Sequence, residues 1–215
     1  MTENFNQLRN YLRKKGIPDF KRDAGDKHFV IELMRRGKDN PDLAAANYHF
    51  KNYYIDSLEK FDIVKDEIVF LCNALNCRAY ISVNVKSYTQ VLKDTVAESA
   101  RRVALGDYKK PYAIYESCSG KSKTEEDSVF IVDVDENMRS VDEYLEIIMQ
   151  CRPFKYFTED ARSDYDVVPT KSGSHIIIRG FDVADFTKKV TQLYGSEFVP
   201  DIKKNHLTLL YENIQ

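Results

Sequence analysis

Apolar and polar positions alternate along this chain in two rhythms, and the rhythm changes often enough to outline most of its elements. Phe5 to Lys15 has the spacing of a short amphipathic helix and is stopped by Gly16 and Pro18. His28 to Met34 is a strand-like apolar run, and Phe50 to Ile55, rich in aromatic and β-branched residues, is its expected partner. Arg35 to Asn47 carries Gly37 and Pro41 and reads as a loop. Asp62 to Leu75 returns to helical spacing, Arg78 to Val85 is a strand, and Ser87 is placed to cap a long helix reaching about Leu105. Gly106 to Ser128, with glycines, a proline and several serines, reads as an extended connection.

The second half is patterned more sharply. Val129 to Val134 is a continuous apolar run, as expected of a strand buried on both faces. Ser140 to Met149 is helical, with Ser140 and Glu143 at capping-box spacing. Tyr165 to Pro169 and His175 to Arg179 are strands joined by a polar hairpin, Thr170 to Ser174, that contains Gly173. Asp182 to Tyr194 is a helix closed by Gly195, and Phe198 to Tyr211 holds the last strand, strongest at Leu207 to Tyr211. The order β-α-β-β-α-β predicts an α+β, two-layer fold. Its C-terminal half is a ferredoxin-like (RRM-like) unit packed with an N-terminal α/β half. One domain over residues 1–215 is expected, with sub-halves 1–106 and 128–215 joined through 107–127.

Composition narrows the function classes. The 215 residues carry 32 Lys and Arg against 34 Asp and Glu, a net charge of -2, so any surface for nucleic acid must be local. The four cysteines lack the paired spacing of a zinc site or disulfide framework, which fits reduced thiols. No signal-peptide pattern opens the sequence, and no run approaches the roughly 18 apolar residues of a membrane span. The expectation is a soluble, cytoplasmic protein with no membrane partner.

Candidate chemistry gathers at three places. Asp133-Val134-Asp135 ends an apolar strand, and residues two apart on a strand project to one face. Two carboxylates held together repel, unless a hard divalent cation such as Mg²⁺ neutralises them. Lys171-Ser172-Gly173-Ser174-His175 lies on the hairpin, with hydroxyls and amides able to donate to phosphate oxygens. Asp201, in Pro200-Asp201-Ile202, opens the last strand, which is expected alongside the third strand of the unit or at an edge near it.

Together these residues resemble the catalytic module of the archaeo-eukaryotic primase superfamily, the primase-polymerases. That module has a strand ending in alternating acids (Phe130 to Asp135 here), a small residue-any residue-histidine pattern on a hairpin (Ser172 to His175), and a third acid on the last strand (Asp201). The resemblance covers roughly Ser128 to Tyr211. It implies a metal-dependent nucleotidyltransferase, a minimal or divergent member, in which Asp133, Asp135 and Asp201 hold Mg²⁺ or Mn²⁺. Asp201 would also help activate a 3′-hydroxyl. Ser172, Ser174 and His175 would bind a nucleoside triphosphate. Lys171 and Arg179 are further phosphate partners, with Arg179 expected on the face opposite the ions. A single-stranded DNA or RNA template and other replication proteins are the implied partners.

The alternative is a catalytically inactive ferredoxin-like module that binds nucleic acid or protein. Other patterns fail on their residues. Gly120-Lys121-Ser122 lacks the preceding glycine and strand of a phosphate-binding loop. Asn137 stands where a haloacid-dehalogenase-type motif wants Thr or Val. His206-Leu207-Thr208 has no matching partner for a two-histidine phosphoesterase. Tyr108, Tyr112 and Tyr115, interleaved with Lys109 and Lys110, are the best candidates for base stacking.

Overall fold

A computed structural model describes residues 2–44, 46–122, 128–152 and 165–213. The chain is mixed α+β and builds two antiparallel sheets. The first takes β1 (Thr2–Glu3), β2 (Lys27–Arg36), β3 (Asn47–Ile55), β4 (Arg78–Ser82), β5 (Lys86–Ser87) and β10 (Leu207–Glu212). Its order is β1-β10-β4-β2-β3, with β5 added to β2. The second takes β6 (Val129–Asp135), β7 (Tyr165–Thr170), β8 (Gly173–Arg179) and β9 (Asp201–Lys204), in the order β7-β8-β6-β9. Among the described residues no helix is long and apolar enough to cross a membrane.

The helices start where side chains satisfy their free amides. In α2 (Leu58–Leu75) the Ser57 hydroxyl accepts from Lys60 N, so the helix begins one turn before the apolar spacing suggested. It ends at Asn76, whose left-handed φ of 46° closes the last turn. The Ser87 hydroxyl caps α3 (Tyr88–Ala104), and Ser140 and Glu143 form the expected capping box on α5 (Val141–Gln150). Asp182 caps α6 (Val183–Tyr194). In α1 (Phe5–Lys14), Phe5, Leu8, Tyr11 and Leu12 form one buried face.

β6 explains why its sequence is continuously apolar. Val132 and Val134 pack with Tyr144, Ile148, Phe186 and Val190 from α5 and α6. Val129 and Ile131 point the other way, into the larger core with Tyr11, Phe29, Ile81 and Val83. Both faces are covered, so no polar alternation is required until the strand emerges at Asp133 and Asp135. Side-chain bonds tie the sheets together. The Asn84 amide donates to Val129 O (3.2 Å) and its carbonyl accepts from Val129 N (2.8 Å), in place of a neighbouring strand. The Asn4 amide donates to Pro169 O (2.8 Å) and Leu209 O (2.9 Å).

Two expectations are revised and a third is narrowed. The connection 107–127 is not wholly extended: Tyr112–Lys121 forms α4, and residues 123–127 lie outside the described set. The last strand of the second sheet is β9, which pairs with β6 at the sheet edge, so of the two expected placements the edge one holds and the one alongside β8 does not. The stronger apolar run, β10, crosses back to the first sheet and pairs with β4 and β1, so residues 128–215 do not form a separate half. Thr208, Leu209 and Leu210 are buried in that sheet, where a return strand gains more apolar contact than an edge would give.

Candidate functional site

The centre of the site is set by strand register. Asp133 stands opposite His175 on β8 and opposite Asp201 on β9. Directly opposed residues share a sheet face, so all three leave the same side, and alternation along β6 adds Asp135. Gly173 lies opposite Asp135. A Cβ at position 173 would fall 2.0 Å from the Val134 carbonyl oxygen, and the residue has a φ of +154°, so glycine alone permits this close β6–β8 approach.

Asp133 is engaged on both carboxylate oxygens. Oδ1 lies 3.3 Å from His175 Nε2, and Oδ2 accepts from Lys203 Nζ at 2.5 Å. The His175 contact, followed by Lys203, holds the Asp133 carboxyl well below the usual carboxylate range, against the opposing effect of burial. His175 is fixed from its other side, with Nδ1 at 2.9 Å from the Thr208 hydroxyl of β10. An imidazole donating from Nε2 to Asp133 leaves Nδ1 to accept the Thr208 proton. Lys203 also lies 3.6 Å from Asp201 Oδ2, so one ammonium group sits between the two acids.

These groups open on a cavity of about 470 Å³ between the two sheets. Asp133, Asp135, Lys171, Ser172, His175 and Lys203 form one wall. Arg36, Lys38, Arg78, Tyr80 and Asn47 form the other, and His206, Leu207 and Leu209 also line the cavity. Arg78 is already committed. Its guanidinium makes a two-pronged contact with Asp39, 2.8 Å on each prong, and lies 2.9 Å from Glu212 Oε2. Arg36 donates from Nη1 to the Tyr80 hydroxyl at 3.3 Å.

The expected site residues divide. Asp133, Asp135, Lys171, Ser172 and His175 share the cavity. Lys171 and Ser172 are the two central residues of the β7–β8 hairpin, and the Ser172 carbonyl accepts from Glu136 N at 2.9 Å. Asp201 is opposite Asp133 but its side chain is 70% exposed and lies outside the cavity lining. Ser174 alternates with His175 and pairs with Val134, which places it on the α5–α6 face, away from the cavity. Arg179 shares the His175 face, contrary to expectation, but stands opposite Val129 at the far end of β8 and does not reach the cavity.

Among the described residues no three His, Cys, Asp or Glu side chains converge as a ready-made metal cage. Lys203 occupies the space between Asp133 and Asp201 that such a cage would need. Lys203, Thr208, Arg36, Lys38 and Arg78 are not among the site residues expected from the sequence. Lys203 had a usable signal, since it stands two residues after Asp201 on one strand and so shares its face. The others come from the first sheet and the turn after β2, and no local pattern links them to Asp133. Comparisons with protein-family models, with curated proteins and with solved structures each find no match to this chain.

Proposed function

We propose that this chain is a metal-dependent nucleotidyltransferase core of the primase-polymerase type, acting on a nucleoside triphosphate and a single-stranded DNA or RNA template. The observation that carries the reading is the placement of Asp133 between His175 and Asp201 on three adjacent strands, with Asp135 on the same face. The strand order β7-β8-β6-β9, with α5 and α6 packed on one face, is compatible with a ferredoxin-like unit and supports the same assignment.

Donor chemistry is compatible with Mg²⁺ or Mn²⁺. Asp133 and Asp135 present hard carboxylate oxygens to one cavity, and Asp201 lies one strand away. Lys203 supplies the positive charge beside Asp133, and its flexible stem would let it give way to a divalent ion. A bound ion would neutralise the carboxylates, lower the cost of generating an alkoxide and stabilise the departing pyrophosphate. The chain's own residues do the rest. Asp133 is held ionised and ready to ligate. His175, with its ring fixed by Thr208, presents Nε2 at the cavity wall. Lys171 and Ser172 present an ammonium and a hydroxyl from the hairpin to an incoming triphosphate.

The Lys203–Asp133 contact also favours a second reading, a catalytically inactive binding module for nucleic acid or protein in which the lysine permanently replaces the metal. Mn²⁺ titration followed by electron paramagnetic resonance, with template-directed nucleotide incorporation as the activity readout, separates them. The enzyme reading expects Mn²⁺ binding that is lost in Asp133→Ala and Asp135→Ala, together with incorporation. A parent protein that binds no Mn²⁺ at millimolar concentration and incorporates nothing establishes the second reading.

A further inference from the structure

We propose that Arg36 at the end of β2 and Lys38 in the turn that follows it, with Lys171 of the β7–β8 hairpin, form a binding site for the triphosphate of a nucleotide, so that one ligand is gripped from opposite walls. The identity of the ligand rests on the nucleotidyl-transfer reading; the anion site itself rests on the arrangement of charge.

All three cations line the same cavity. The wall's other cation, Arg78, is neutralised by Asp39 and Glu212, which also fixes the end of β4 beneath the site. Among the ion pairs of the described residues, none engages Arg36, Lys38 or Lys171. They are close enough to feel one another. The Lys38 ammonium is held below the usual lysine range, first by partial burial and then by the charges of Arg36, Arg78 and Lys171. Gathering like charges into a concave site is unfavourable in the empty protein, and an anion of high charge density relieves it. Tyr80 steadies the Arg36 guanidinium through its hydroxyl, which limits the freedom lost when the fork closes on phosphate oxygens.

Contiguous phosphates suit this cluster better than a phosphodiester strand. Three cations line one cavity, whereas the phosphates of a strand are separated by sugars. Met34, Leu207 and Leu209 give the same cavity an apolar floor, suited to the uncharged part of a nucleotide.

The test is calorimetric titration with inorganic tripolyphosphate in the presence of a chelator, so that no metal contributes. The parent protein is expected to bind, and an Arg36→Gln/Lys38→Gln double variant to bind at least tenfold more weakly. Both side chains lie at or near the surface, and an unchanged melting temperature confirms that the variant folds. A parent that ignores tripolyphosphate, or a double variant that binds it equally well, overturns the proposal. So does a double variant that keeps tripolyphosphate but loses a short unphosphorylated-end oligonucleotide, since the site then serves a strand. Mn²⁺ binding is measured in parallel. Tripolyphosphate binding that depends on Arg36 and Lys38, with Mn²⁺ indifferent to Asp133→Ala, keeps the anion site and removes the nucleotidyl-transfer reading.

Discussion

His175 Nε2 lies 3.3 Å from Asp133 Oδ1 across the β6–β8 pair, and the ring that makes this contact is held by a residue of the other sheet. The Thr208 hydroxyl, fully buried, meets Nδ1 at 2.9 Å. Histidine orientation in the second sheet is therefore set by a strand of the first, and the geometry of the acid-imidazole pair depends on both sheets being docked.

Thr208→Val keeps the shape of the side chain and removes the hydroxyl. The expected cost is about 1–2 kcal/mol, because a buried ring nitrogen loses its partner. The more specific outcome is spectroscopic. Nitrogen chemical shifts of His175 should report one dominant placement of the ring protons in the parent and a mixture in Thr208→Val, with Thr208→Ser restoring the parent pattern. An unchanged tautomer in the valine variant would show that Thr208 only fills space.

Lys203→Gln removes the ammonium that sits between Asp133 and Asp201. A cation and a divalent metal compete for the same carboxylates, so Mn²⁺ affinity should rise by about tenfold, equivalent to ~1.4 kcal/mol. Electron paramagnetic resonance of Mn²⁺ measures it directly. Weaker Mn²⁺ binding in the variant would mean that Lys203 organises the acids for the metal instead of competing with it.

Gly173→Ala should be the most damaging single-methyl change near the site. Its Cβ would lie 2.0 Å from Val134 O and 2.9 Å from Asp135 Cα, both backbone atoms that cannot move without opening the β6–β8 ladder. A loss of about 3 kcal/mol is expected in chemical denaturation. Gly120→Ala in α4, whose Cβ meets nothing within 4 Å, is the control and should be neutral or stabilising by up to about 1 kcal/mol.

Stability should fall on acidification in two separate windows. His28 is buried and stacked on Tyr88, with centroids 3.9 Å apart. Burial, helped by the charge of Lys86, lowers its pKa from 6.5 to about 4. Between those values the unfolded chain binds the extra proton and the folded one does not, so stability declines as the pH drops from about 6.5 towards 4. Asp133 acts lower down. Its folded pKa lies below its ordinary 3.8, so its contribution is present above that value and is lost as the pH falls further. Denaturation midpoints measured from pH 7 to pH 3 should show the first window disappear in His28→Phe and the second persist. A His28→Phe profile that matches the parent above pH 4 would mean that His28 takes up its proton equally in the folded and the unfolded chain.

Periodicity along the chain was enough to determine the face on which Asp133 and Asp135 emerge, the capping box at Ser140 and Glu143, and the glycine turn before His175. Each of these is decided within a few residues, by backbone geometry and by satisfaction of helix-end amides. The α+β class followed from the same local signals. The partners of each strand were decided only by the tertiary structure. β9 pairs with β6 and so sets Asp201 opposite Asp133, while β10, the more apolar run, leaves for the first sheet and brings Thr208 to His175. Arg36 and Lys38 face the carboxylates for a similar reason. Their position depends on how two sheets dock around one core, a sum of contacts between residues roughly a hundred positions apart that no window of sequence contains.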